Sequence, residues 1–195
     1  VGATPGKGRM SPRNFIGSTF ADELRLRFHS KVVAISMKDR GAVFPAGKKP
    51  TAAFWFHSPN GKFLTSSYYM TQPPAWVQAF NNRRRPAEFM EKKWDRLLDE
   101  SAYMYPDEGA GEGNIGEEKK PVFPHKIPPF KDNFDNVIAS PFGNQILGEF
   151  AEAAVEGEKL GQGPGPDLLC VSFSSVDYVG HKFGPYSQEV QDVVL

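Results

Sequence analysis

The chain has 195 residues, 23 Lys and Arg against 23 Asp and Glu, and 13% aromatic residues that include 16 Phe. That length and aromatic content support one domain with a real core and exclude a disordered chain; a net charge of zero gives no reason to expect nucleic acid as a partner. No apolar run approaches the roughly 18–20 residues of a membrane span, and the single cysteine, Cys170, excludes an internal disulfide or a Cys-based zinc knuckle.

Charge is uneven along the chain, with ten basic and three acidic residues in positions 1–50. Such a balance hints at an anionic ligand, solvated surface being the ordinary alternative. Residues 1–14 are turn-rich and basic, but Gly2, Gly6, Lys7 and Gly8 do not have phosphate-loop spacing. From Ser18 or Thr19 as N-cap, FADELRLRF sets Phe20, Leu24 and Phe28 on one helix face, and His29-Ser30 ends it. KVVAISM (31–37) suits a strand buried on both faces. AAFWF (52–56) and FLTSSYY (63–69) flank Asn60-Gly61, a strong hairpin turn. Pro73-Pro74 opens a short helix, AWVQAFNN. Residues 81–135 mix charge, Pro and Gly and read as a loose insertion or lid outside the sheet. Ser140-Pro141 then starts a helix with Phe142, Ile146, Phe150 and Ala154 on one face and Gly161 at its end. DLLCVSFSS (167–175) is the second buried-strand candidate, and Ser187 is an N-cap for a short helix to Leu195. The fold class is α/β, with residues 52–135 as a hairpin and loop-rich insertion. With no initiating Met and a helix that stops mid-pattern, the chain is expected to be a piece of a longer protein.

In open α/β sheets, ligands gather beyond the carboxyl ends of the strands. Lys38-Asp39-Arg40 follows the first strand candidate and Asp177-Tyr-Val-Gly-His181 follows the second. On extended backbone, Lys38 and Arg40 would leave the same face, and an Arg fork beside a Lys point charge suits a tetrahedral oxyanion. A solvated strand end with Asp39 as counter-ion is the plain alternative. Asp177 and His181, four apart, share a face on a helical turn, where carboxylate and imidazole could meet one divalent metal. Two ligands fall short of a catalytic set, and D-x-x-x-H pairs are common by chance. His29, His57 and His125 have no ligand-like neighbours in sequence and are expected to be structural or exposed.

SSVDYVGHKFGP (174–185) resembles the D-x-x-G-H-x-x-G-P metal motif of the alkaline phosphatase superfamily, in its type I phosphodiesterase/nucleotide pyrophosphatase branch. GKGRMSPRN (6–14), MKDRGAVFPAG (37–47), TSSYYM (65–70) and SPFGN (140–144) narrow the resemblance to bacterial phosphate-irrepressible alkaline phosphatases. It implies a zinc-dependent phosphomonoesterase on an α/β/α sandwich, of which residues 1–195 are part, acting through a phosphothreonine intermediate. By that resemblance Asp177 and His181 are two ligands of one of two Zn²⁺ ions, and Lys38 and Arg40 hold phosphate oxygens. Relatives that prefer diesters lack the Lys/Arg pair. The nucleophilic Thr and the other zinc ligands would then lie outside this chain, leaving the isolated piece inactive. Small phosphomonoesters are the implied substrates, a periplasmic or secreted location is implied, and Ca²⁺ stays open. A phosphodiesterase or nucleotide-pyrophosphatase-like hydrolase, and a non-catalytic phosphate-binding module, are the alternatives.

Overall fold

The computed structural model describes residues 1–3 and 10–195. The phosphate-loop comparison at Gly6, Lys7 and Gly8, and the opening of the 6–14 motif, lie outside the described residues. In chain order the elements are α1 (Phe20–Phe28), β1 (Val32–Ser36), α2 (Asp39–Ala46), β2 (Ala52–His57), β3 (Lys62–Leu64), α3 (Ala75–Asn82) and α4 (Arg85–Glu88). They continue with β4 (Lys93–Trp94), β5 (His125–Lys126), α5 (Asp135–Ile138), α6 (Pro141–Glu158), β6 (Leu168–Ser172), α7 (Ser175–Phe183) and α8 (Gln188–Val194). The chain forms two units, residues 1–84 with 147–173 and residues 85–146 with 174–195.

The first unit is built on a sheet of order β3-β2-β1-β6. β1 is parallel to both β2 and β6, with Ser36 opposite Ser172 at the carboxyl ends. β2 turns back into β3 through the Asn60-Gly61 hairpin, whose Asn60 and Gly61 N–H groups both donate to the His57 carbonyl. Alternation along β1 and β2 sorts side chains to two faces. Ala34 and Ala53 meet Ala46 of α2 on one face, and these small residues let the helix lie close. Phe54 points to the other, where Trp76 of α3 and Phe150 of α6 stand edge-on to it at 5.4 and 5.7 Å. Phe63 stacks on the same Phe150 at 3.8 Å. Helices on both faces of a mainly parallel sheet make this an α/β/α sandwich.

Three expectations need correcting here. β6 is half-buried along its whole length, because among the described residues only β1 pairs with it and its other edge is open. Helix α1 forms as expected, with a Thr19–Asp22 capping box, but Phe20 is 73% exposed and Phe28 48% exposed. It buries Ala21 and Asp22 instead, because the Asp22 carboxylate accepts from the N–H groups of Thr19, Lys48 and Lys49. Lys38 and Arg40 do not share extended backbone. Lys38 is the extended N-cap of α2, and Arg40 already lies in its first turn.

Residues 85–135 stay outside the four-stranded sheet, as expected, but they are not loose. With α7 and α8 they enclose a second core of Trp94, Ile115, Phe123, His125, Ile127 and Phe183. Its polar centre is carried by α8. Asp192 accepts from Trp94 Nε1 at 2.6 Å, from the Leu97 N–H at 2.7 Å and from the Tyr103 hydroxyl. A stretch read as lid from its Pro and Gly content is thus held by side chains that reach it from the far end of the chain.

Candidate functional site

In the first unit, the candidate phosphate residues sit at the β1–α2 junction. The Lys38 N–H donates to Ser36 Oγ at 3.0 Å, which turns the chain from strand to helix. The Lys38 side chain makes no capping hydrogen bond to α2, while Asp39 Oδ1 accepts from the Arg40 N–H at 2.5 Å. A helix start carries partial positive charge and N–H groups without helical partners, which favours an anion there. Gly41 makes the close packing possible, since a Cβ at that position would lie 2.4 Å from Ser36 Oγ and 3.1 Å from Ser172 Oγ. The first turn of α2 therefore rests on the carboxyl ends of β1 and β6, with Lys38 half-buried and Arg40 exposed. A cavity of about 490 Å³ opens beside Arg40.

In the second unit, Asp177 and His181 occupy successive turns of α7. Ser175, Val179 and Phe183, at i, i+4 and i+8, form the buried stripe of that helix. Phe183 packs 5.0 Å from the His125 ring and 6.1 Å from Trp94. The opposite side carries Asp177 and His181, whose side chains are 49% and 81% exposed, with Oδ2 and Nε2 3.6 Å apart. Two donors on a tetrahedral zinc sit about 3.3–3.6 Å from each other. The pair thus fits two ligands of one ion, a hard oxygen and a borderline nitrogen. Among the described residues, no group of three or more His, Cys, Asp or Glu is placed to hold a metal. Lys182, next to His181, turns inward and donates to Asn136 Oδ1 at 3.0 Å. Burial lowers its ammonium pKa against the opposing pull of Glu118 and Asp135.

Sequence reasoning missed one polar constellation. His125 is fully buried, its Nδ1 3.0 Å from Glu118 Oε2 and its Nε2 2.9 Å from Glu189 Oε1. Burial opposes its charge, yet the hydrogen bonds to Glu189 and Glu118 outweigh that and raise its pKa. It is buried rather than exposed, and it does not lack partners. Nothing in sequence links positions 118, 125 and 189, which lie in a loop, a two-residue strand and a terminal helix. His57 is buried and His29 is the left-handed C-cap of α1.

A family profile described as type I phosphodiesterase/nucleotide pyrophosphatase matches residues 9–195. The chain is 40% identical over its whole length to alkaline phosphatase PhoV of Synechococcus elongatus, covering 36% of that protein. It is 41% identical over its whole length to alkaline phosphatase PafA of Elizabethkingia meningoseptica, covering 37% of it. A Myroides odoratus protein named calcium-transporting ATPase is 36% identical, again with 37% of its length covered. The crystal structure of wild-type PafA superposes with a TM-score of 0.90 over 96% of this chain and 37% of that one. A variant of PafA, whose four substitutions include a Lys and an Arg two positions apart replaced by Ala, superposes with a TM-score of 0.93. The chain thus spans little more than a third of the curated relatives it matches. With the profile running over nearly every residue and the sandwich superposing on PafA, the chain belongs to the type I phosphodiesterase/nucleotide pyrophosphatase family.

Proposed function

We propose that this chain is part of the catalytic domain of a zinc-dependent phosphomonoesterase, in which Lys38 and Arg40 bind the phosphate and Asp177 and His181 ligate one of two Zn²⁺ ions. The observation that carries the reading is identity of 40% and 41%, over the whole chain, to two proteins named alkaline phosphatase. Its geometric support is the place of Lys38 and Arg40 at the start of α2, beyond the carboxyl end of β1, and the 3.6 Å donor pair on α7. The Lys-x-Arg spacing is also that of the Lys and Arg replaced in the PafA variant.

A phosphomonoester has three non-bridging oxygens and a diester two, so an Arg fork and a Lys charge gain most from the monoester. Lys38, pinned through its N–H to Ser36, sets the position of the phosphate, and Arg40 opposes the charge that grows on its oxygens. Zinc, when bound, lowers the pKa of water and polarises the phosphoryl group. A Thr outside this chain would supply the nucleophile. Its Oγ–P bond forms as the ester P–O bond breaks and the leaving oxygen takes a proton; water then cleaves the phosphothreonine, releasing inorganic phosphate and restoring the hydroxyl. Periplasmic or secreted location and small-molecule substrates belong to the same reading. Diester hydrolysis is the second reading, favoured by the description of the matching family profile.

The test is Arg40→Ala in the full-length protein, assayed on a monoester and a diester of the same aryl alcohol. Monoester turnover is expected to fall about 10²–10³-fold and diester turnover much less. Equal losses on both would remove Arg40 from the phosphate site. Retained monoester activity after zinc removal would reject the metal assignment.

A further inference from the structure

We propose that the cavity beside Arg40 receives the apolar organic group of the phosphoester, so that this chain selects aryl and other bulky apolar monoesters. The inference rests on Arg40 being a phosphate contact. The cavity measures about 490 Å³, within the range of small-molecule sites, and Phe15, Ile16, Val43 and Phe44 supply its apolar wall. Asp39 and Arg40 line it as well.

Helix α2 explains this mixture. Asp39 and Arg40 stand one turn before Val43 and Phe44, so the charged pair and the apolar pair share one side of the helix. Phe15 closes on Phe44 edge-on, with ring centroids 6.3 Å apart. Phe44 is 58% exposed and Ile16 94% exposed, so large apolar surface lies open next to the cation. Asp39 adds a sign. A carboxylate in the wall repels a second phosphate, so the cavity suits a neutral organic group and disfavours a polyphosphate tail.

The experiment compares 1-naphthyl phosphate with methyl phosphate in the full-length protein and follows competitive inhibition by inorganic phosphate. Taking the kcat/KM ratio of the two esters, variant against wild type, cancels their intrinsic reactivity. Phe44→Ala is expected to lower the naphthyl-to-methyl ratio about tenfold, and Phe44→Leu to lower it less. Ile16→Ala removes a side chain with little packing of its own and is expected to move the ratio the same way. A ratio unchanged in Phe44→Ala and Ile16→Ala overturns the proposal, and is the result expected if another part of the polypeptide fills the cavity. If that ratio holds while Arg40→Ala weakens phosphate inhibition, the cavity assignment fails and the phosphate site stands. If Arg40→Ala leaves phosphate inhibition intact, the phosphate site fails and the cavity assignment falls with it.

Discussion

Asp22 accepts hydrogen bonds from the N–H groups of Thr19, Lys48 and Lys49, and from the Thr19 hydroxyl. Burial disfavours its charge, but these bonds together win and hold the carboxyl below its ordinary value. His125 shows the same contest with the opposite charge: burial is offset by Glu189 and Glu118, and the imidazole pKa rises. Glu112, whose own pKa is raised by burial, faces the same cluster. A His pKa raised on folding stabilises the fold fully below the unfolded value, near 6.5, and that contribution fades as pH rises through the folded value. The urea midpoint of the wild-type protein is therefore expected to fall, relative to His125→Gln, as pH is raised above 6.5. A midpoint difference independent of pH from 5.5 to 9 would show that no imidazolium is held there. Thr19 was legible as one of two candidate N-caps because capping is local, whereas the part Asp22 plays was not. The His125 cluster was not, since its carboxylates come from 7 and 64 positions away.

At the scale of elements, close approach decides more than propensity. Gly157 lies in α6, where Ala would ordinarily be favoured over Gly. A Cβ there would come within 2.4 Å of the Trp76 ring, which donates from Nε1 to Glu158 Oε1 at 2.8 Å. Gly157→Ala is therefore expected to destabilise by about 1–3 kcal/mol, as overpacking does, measured by chemical denaturation. A neutral or stabilising result would mean that the α3–α6 packing is softer than drawn. The apolar stripe of α6, the Asn-Gly hairpin and the parallel pairing of β1 with β6 all follow patterns of period 3.6 or 2 visible in the chain. The same reasoning found α1 but not which of its faces is buried, because Phe20, Leu24 and Phe28 have helical spacing whether or not anything packs on them. It also placed Lys38 and Arg40 on extended backbone, since a strand-to-helix turn between them leaves no mark in periodicity.

For the whole molecule, the proposed zinc donors Asp177 and His181, two on one helix, cannot supply the affinity of a three- or four-ligand site. The 195-residue chain by itself is expected to hydrolyse no aryl phosphate above buffer, with or without added zinc, and to lose zinc on desalting. A burst of phosphate, or a tightly held ion per chain by metal analysis, would show that further donors lie within it. Composition, caps and hydrophobic period determined the α/β class, most elements and the two motifs after β1 and β6, because each depends on neighbours a few positions away. Tertiary structure alone decided which helix face is buried, that β6 is a half-buried strand paired, among the described residues, with β1 alone, and that residues 85–135 join α7 and α8 around a core with polar contacts at its centre. Burial and buried charge depend on which distant segments meet, and that information resides in the packed chain as a whole.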